Sequence, residues 1–454
     1  MTKKKSGKIY FIGIEGAGTS ALAVIYKNLG YDVAGSDDGD HFYGDILEKN
    51  KIKIFSSYDK KNLPENVRKV VYSTCINEKN PEFQEAKKRN LEMKSYPEAL
   101  ADLFNKKMGI AVCGTHGKTT TTAMLAFVLD NMGLSPSAVV GSKVIDWRAN
   151  SLYGKGDYFI IEADEYQNKL IYYDPWSAIL TSVDYDHPDF YRTSEDYKNA
   201  FIDFAKKIPK TGYLIYCNDN RDVLDVAGKA KCRKVSFGFN KESDYLVKIK
   251  RVKFSQTFEI FHEGESLGDF KIKLPGAHNA LNASSVIAFC NELGLDPDKV
   301  REVLSSFRGT ARRFQKIGER NGSVLIDDYA HHPEEIKAAL RAADEIFPDK
   351  NIVTVFHPHS FTRTKALLED FANSFGDANE ILILDIYGSA REDSGDVSSE
   401  DLVELINKYY PRRARYVPRV EDAIDILKDS INENDVVISM GAGDVWRVTH
   451  ELAK

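Results

Sequence analysis

The chain has 454 residues, 43% of them hydrophobic and 29% charged, with a formal net charge of −6. That length exceeds one hydrophobic core and sets an expectation of two to four folded domains in a soluble protein. The acidic balance and the lack of a basic stripe argue against a nucleic-acid partner, and no apolar run approaches the roughly 20 residues that span a bilayer.

The start, Met1-Thr-Lys-Lys-Lys5, is basic, but Ile9–Ile14 is too short for a signal-peptide core. The cysteines at 75, 113, 217, 232 and 290 are odd in number and lack paired spacing. Reduced thiols in a cytoplasmic protein are expected, not structural zinc.

From about 8 to 105 the pattern alternates strand and helix. Strands are predicted at Lys8–Ile14, Asp32–Gly35 and Val67–Ser73, with helices at Thr19–Leu29 and after Pro81. Gly13-Ile-Glu-Gly16-Ala-Gly18 lies between the first strand and helix, followed by Thr19 and Ser20. Ser36 and Asp37 end the next strand, where a ribose-binding acid would lie. This pattern suits a dinucleotide cofactor such as NAD, another nucleoside diphosphate, or a closely packed turn.

From about 106 to 305 a second nucleotide motif dominates. Met108–Cys113 is predicted as a strand and Thr119–Met132 as a helix. Between them, Gly114-Thr115-His116-Gly117-Lys118-Thr119-Thr120 reads as a phosphate loop. Its N–H groups and the helix end suit a polyphosphate, Lys118 the terminal phosphates, and Thr119 a Mg2+ ion. Val112 stands where the longer loop pattern has its first glycine.

Further strands are predicted at Tyr158–Ala163, Ala178–Ser182 and Tyr213–Cys217, and antiparallel hairpins over Tyr245–Leu274. Two strand ends are acidic: Glu162-Ala-Asp164-Glu165 and Asp184-Tyr-Asp186-His187-Pro-Asp189. A charged strand cap or a polar loop is the ordinary reading of each. Two such ends after a phosphate loop favour a divalent cation, with Glu162 as a ligand, direct or through water, and the clustered Asp and His of the second end suited to the same ion. His278, Asn279 and Asn282 fall within one helical turn. They suit an adenine edge or a capped helix start.

From about 306 the alternation restarts. Strands are predicted at Val324–Ile326, Ile352–Phe356, Ile381–Leu384 and Val436–Ser439, and helices at Pro333–Ile346 and Thr364–Phe375. Arg312 and Arg313 can clamp a phosphoryl group or lie on the surface. Asp327-Asp328-Tyr329-Ala330-His331-His332, His357-Pro-His359 and Asp385-Ile-Tyr387 each follow an apolar strand. Ligands bind at such strand ends in open α/β sheets. Seven of the ten histidines, 116, 187, 278, 331, 332, 357 and 359, lie in these segments.

Taken in order, these segments resemble the Mur ligase family over nearly the whole chain, with His116 pointing to its alanine-adding branch. The resemblance implies an α/β protein of three domains: a Rossmann-like UDP-substrate domain (1–105), a central P-loop ATPase-like domain with antiparallel hairpins (106–305), and a C-terminal Rossmann-like domain (306–454) that binds the amino acid and closes on ATP. It implies ATP-dependent joining of L-alanine to the carboxylate of UDP-N-acetylmuramate through an acyl phosphate. The alternative within the family is a recycling ligase that attaches a murein peptide.

Lys118, His187 and Arg313 are the implied catalytic residues. Thr119, Glu162 and His187 are the implied Mg2+ ligands. ATP would meet the loop Gly114–Thr120, His278, Asn279, Asn282, Arg313 and Asp328. The UDP substrate would meet Gly13, Gly16, Gly18, Thr19, Ser20, Ser36 and Asp37, and the amino acid Tyr329 and His331. A cytoplasmic monomer or weak dimer is expected, with no nucleic-acid or membrane partner. An oxidoreductase built on the first glycine motif, or a nucleotide switch, would leave the later motifs unused. Departures from the family pattern are Glu15 for a glycine, Gln167-Asn168-Lys169 for arginines, and Ser182 for an asparagine.

Overall fold

The computed structural model describes residues 7–39, 42–251, 255–388 and 395–454; the basic start Met1–Lys5 lies outside them. The architecture is a three-domain α/β arrangement: parallel-sheet, Rossmann-like domains at the N- and C-terminal ends and a central mixed sheet. By its internal contacts the chain forms two compact units. One comprises Met1–Val183, Lys198–Phe237 and Ser285–Val303; the other comprises Asp184–Tyr197, Gly238–Ser284 and Leu304–Lys454.

In the first unit, five parallel strands open the chain: β1 (Lys8–Ile12), β2 (Asp32–Ser36), β3 (Lys53–Phe55), β4 (Val67–Tyr72) and β5 (Glu92–Ser95). Their order is 3-2-1-4-5, so the order reverses between β1 and β4, where ligand crevices form. The first strand stops two residues before the predicted end, because Gly13 turns the chain at φ 77°. Tyr10, Ile12, Ala34 and Val70 fill one face of this sheet.

The same unit carries β6 (Met108–Cys113), β7 (Ser137–Val144), β8 (Ala149–Leu152), β9 (Tyr158–Glu162), β10 (Ser177–Leu180), β11 (Tyr213–Cys217) and β12 (Arg233–Gly238), in the order 12-11-10-6-9-7-8. β6 lies centrally between β10 and β9, and its residues Gly109–Cys113 are all buried. Strands covered on both faces read as continuous apolar runs, which made β6 legible. The hairpin partner β8 pairs antiparallel to β7 and was not predicted; its sequence Ala-Asn-Ser-Leu carries no strand signal.

In the second unit, β13 (Tyr245–Arg251), β14 (Gln256–His262) and β15 (Glu265–Ile272) are the expected antiparallel hairpins. A six-stranded sheet follows: β16 (Gln315–Arg320), β17 (Ser323–Asp328), β18 (Asn351–His357), β19 (Glu380–Ile383), β20 (Ala414–Tyr416) and β21 (Asp435–Gly441). Its order is 16-17-21-18-19-20, and only β16 pairs antiparallel. Alternate residues feed two cores: Ile326, Phe356 and Ile438 on one face, Leu325, Val355 and Val437 on the other.

The helix predicted at Thr364–Phe375 is instead broken into Phe361–Ala366, Leu368–Ala372 and a 3-10 turn at Asn373–Phe375. Leu367 leaves helical geometry at ψ 22°. The break lets the consecutive Leu367 and Leu368 both pack on the core, which a regular helix would point 100° apart.

Candidate active site

The first unit builds the phosphate loop. Gly114, at φ +129°, passes so close to the end of β10 that a Cβ there would lie 2.3 Å from Thr181 Oγ1 and 2.8 Å from the Ser182 amide nitrogen. Only glycine suits both that conformation and that space. The next residues hang on the same strand end. Thr115 N–H donates to the Ser182 carbonyl (2.9 Å), and His116 N–H donates to Ser182 Oγ (3.0 Å). Ser182, a departure from the family pattern, therefore has a definite task in holding the loop. Gly117 at φ 78° then admits the helix Lys118–Asn131, whose first turn has no acidic residue to neutralise its positive end.

Lys118 Nζ lies 3.0 and 3.2 Å from the two Glu165 carboxylate oxygens and also donates to the Gly114 and Thr115 carbonyls. Burial works against its charge, but the carboxylates of Glu165, Asp164 and Glu162 more than offset that and hold its pKa above the ordinary lysine value. The neighbouring Cys113 thiol is pushed up to about 12, chiefly by burial, which leaves it unreactive.

Thr119 Oγ1 donates to Glu162 Oε1 (2.8 Å), while Glu162 Oε2 accepts the Gly141 N–H (2.7 Å). Adjacent hydroxyl and carboxylate oxygens are the donor set of a hard divalent cation, so these residues fit Mg2+. Asp164 is engaged with Lys169 and the Tyr166 N–H. The departing segment Gln167-Asn168 takes left-handed backbone angles inside an irregular turn.

At the crevice of the first sheet, Thr19 Oγ1 donates to the Gly13 carbonyl (2.7 Å) and Ser20 Oγ to the Ala17 carbonyl (3.1 Å). Gly18 abuts Tyr96, whose ring atoms would lie 2.3 Å from a Cβ there. Asp37 accepts N–H groups from Glu15 (2.8 Å) and Asp38 (3.0 Å) and the Tyr58 hydroxyl (3.3 Å). It ties the glycine turn to its own strand end. Ser36 donates to the buried Glu82, which also accepts from Tyr10, Asn62 and the Asp59 amide. Sequence reasoning missed Glu82, because nothing local marks a carboxylate whose partners lie 20 to 72 positions away.

The second unit holds the remaining predicted residues. Asn279 Nδ2 donates to the Pro275 carbonyl and Asn282 Nδ2 to Asn279 Oδ1, so this pair braces the start of the helix Ala277–Glu292. Gly276, at φ +88°, packs on the His278 ring. The two arginines divide. Arg312 is buried, 3.4 Å from Asp327 and donating to the Gly441 carbonyl, and serves the fold. Arg313 is more open, 3.8 Å from Glu335 and with its guanidinium 5.2 Å from the Tyr329 ring. Asp328 accepts the Phe314 and Ala330 amides (both 2.7 Å), and burial raises its pKa to about 6.

Tyr329 and His331 meet edge-to-face at 5.2 Å. His331 Nδ1 faces the Tyr329 carbonyl (3.0 Å) and Glu335 (3.3 Å). Burial lowers its pKa to about 3, so the ring is neutral at pH 7. His332 instead caps the helix Pro333–Ile346. His359 stacks on Tyr387, and His357 lies 3.4 Å from Asp444. Asp186 is gripped by Arg363 through two bonds, at 3.0 and 3.2 Å. Burial opposes its charge, but Arg363 and neighbouring histidines hold its carboxyl well below the usual range. His187 follows at φ 58°, with its N–H on Asp186. The Arg363–Asp186 pair could not be foreseen from the sequence, because its members lie 177 positions apart.

Among the described residues, no helix is long and apolar enough to cross a membrane. Three family models match in chain order: Mur ligase family, catalytic domain (8–108), Mur ligase middle domain (112–290), and Mur ligase, glutamate ligase domain (312–443). The UDP-N-acetylmuramate--L-alanine ligase of Desulfitobacterium hafniense (strain Y51) is 39% identical over 98% of this chain and 99% of its own. The enzyme of that name from Clostridium acetobutylicum is also 39% identical, over 98% and 96%. The structure of UDP-N-acetylmuramate-alanine ligase from Thermotoga maritima aligns with a TM-score of 0.84 at 28% identity, covering 98% of each chain. A murein peptide ligase from Psychrobacter arcticus shares the fold, with a TM-score of 0.75 at 24% identity. Full-length identity of this order, on a phosphate loop built as described, places the chain in the Mur ligase family.

Proposed function

We propose that this chain is an ATP-dependent ligase that joins L-alanine to the carboxylate of UDP-N-acetylmuramate in peptidoglycan precursor synthesis. The observation that carries this reading is the 39% identity, over 98% of the chain, to ligases of that name. The loop geometry fits it.

The substrate carboxylate attacks the γ-phosphorus of ATP, the bond to the β-phosphate oxygen breaks, and ADP leaves an acyl phosphate behind. The amine of L-alanine then attacks the acyl carbon, gives up a proton, and inorganic phosphate departs. Charge spreads over the transferring oxygens in the first step. Lys118, exchanging Glu165 for phosphate, would meet it with a cation. Thr119 and Glu162 would hold Mg2+, which when bound neutralises phosphate charge; the family resemblance adds His187 as a ligand, Arg313 at the γ-phosphate, and Asn279 and Asn282 at adenine. His331, kept neutral at pH 7 by burial, would meet the amino acid as a hydrogen-bond partner and not as its proton acceptor. The glycine turn at Gly13 and the residues Thr19, Ser20 and Ser36 would meet the UDP part, with domain borders near 105 and 305. The reading includes a cytoplasmic protein, monomeric or weakly dimeric.

Phosphate release tests the reading. It is expected only with ATP, UDP-N-acetylmuramate and L-alanine together. Equal release without an acceptor sinks it. A tripeptide accepted in preference to L-alanine would move the assignment to peptide recycling.

A further inference from the structure

A chain of contacts within the first unit runs from the first domain to the cation-binding pair. The segment after β2 reaches β7 at three points. Tyr43 OH donates to the Gly141 carbonyl (2.9 Å). Lys143 Nζ pairs with Asp45 (2.7 Å) and lies 4.1 Å from the centre of the Phe42 ring. Gly141 in turn gives its N–H to Glu162 Oε2, and Glu162 Oε1 takes the Thr119 hydroxyl. Gly141 has no room for a side chain, since a Cβ would lie 2.5 Å from Glu162 Oε2. Its carbonyl accepts from Tyr43 and its amide donates to Glu162, so one residue joins the two side chains.

We infer that Tyr43 is a positioning residue: through Gly141 it sets the Glu162 carboxylate, and so couples occupation of the first domain to cation-dependent nucleotide binding at Thr119. This rests on the proposed function for its two ligands. A hydrogen bond to the carbonyl of a residue whose own amide orients a ligand carboxylate has two consequences. Holding the segment 42–45 in place favours the Glu162 orientation that receives the cation. By reciprocity, a cation seated at Glu162 favours the docked segment.

The experiment measures the affinity of a non-transferable ATP analogue with Mg2+, with and without saturating UDP-N-acetylmuramate, by calorimetry on the full chain. In the unsubstituted protein the UDP-sugar is expected to tighten analogue binding by at least about fivefold. Tyr43→Phe should reduce that ratio to below about twofold, while the affinity for the UDP-sugar alone stays within about twofold. Lys143→Met, which removes the second latch, should lower the ratio in the same direction. Replacing Mg2+ by EDTA should abolish the coupling in every variant. An undiminished ratio in Tyr43→Phe overturns the inference, and so does a ratio near one in the unsubstituted chain. If that chain binds neither ligand, the proposed function has failed instead.

Discussion

The Lys118–Glu165 pair of the first unit and the Arg363–Asp186 pair of the second are both buried cation–carboxylate contacts, yet they are built for different ends. Lys118 is a point charge on a flexible stem, shared among one carboxylate and two backbone carbonyls. None of these contacts fixes its direction, so a phosphate can replace them at little geometric cost. Arg363 offers a planar fork that meets both Asp186 oxygens at once, with both side chains 7% exposed. Such a pair locks the Asp184–Tyr197 segment to the helix Phe361–Ala366 of its unit. A buried charge can thus be a reagent held in readiness or a structural clasp, and the donor's geometry tells which.

Substitutions in each pair probe this contrast directly. The largest effect is expected for Lys118→Met: phosphate release should fall by about a thousandfold or more, in line with loss of a principal charge stabiliser. UDP-sugar binding should stay nearly unchanged. Parallel loss of UDP-sugar binding would contradict the separation of the two sites. Because Glu165 is then buried without its cation, a double variant Lys118→Met, Glu165→Gln should regain stability and still lack activity.

Arg363→Met should destabilise the second unit by about 3–5 kcal/mol, read from urea midpoints, since it strands the Asp186 charge. The Asp186 pKa lies below its ordinary value of 3.8. Its stabilising share is therefore full above pH 3.8 and is lost as pH falls further; the Met variant should lack that acid-side loss. Arg363→Lys rescuing full stability would argue against the bidentate clasp. Gly114→Ala comes next, at about 1–3 kcal/mol with loss of nucleotide affinity, because of its φ and its contact with the β10 end. Wild-type nucleotide affinity in that variant would show that the loop does not depend on the close approach.

The mildest test concerns pH. His331 has a folded pKa of about 3 against an ordinary 6.5, so its contribution is present above pH 6.5 and lost as pH falls toward 3. Asp327 and Asp328, both raised to about 6, act oppositely: their contribution is greatest below 3.8 and fades as pH rises through 6. His331→Asn should remove an acid-side loss of up to about 1.4 kcal/mol per pH unit, seen by comparing urea midpoints at pH 7 and 5. An unchanged difference between those midpoints would show that His331 is not kept neutral by the fold.

The central strands and the phosphate loop were readable because their signals are local. Met108–Cys113 and Tyr213–Cys217 are unbroken apolar runs, and the loop is a contiguous string whose chemistry follows from its own backbone. Edge and hairpin strands such as Lys53–Phe55 and Ala149–Leu152 were not, since they owe their form to a neighbour and carry little pattern of their own. Among site residues, Thr119 and Glu162 could be paired in advance because strand ends beside a phosphate loop have a known place. Gly141, Glu82 and Asp444 could not.

Composition, periodicity and contiguous motifs thus settle the fold class, the phosphate loop and the family, because each depends on residues close in sequence. Partner choice does not. Whether an arginine is buried against an aspartate or left more open, as with Arg312 and Arg313, or a histidine caps a helix or sits beside a carbonyl, as with His332 and His331, depends on groups brought near by folding. Charge and hydrogen-bond energies act over a few ångströms, and those distances exist only in the folded chain.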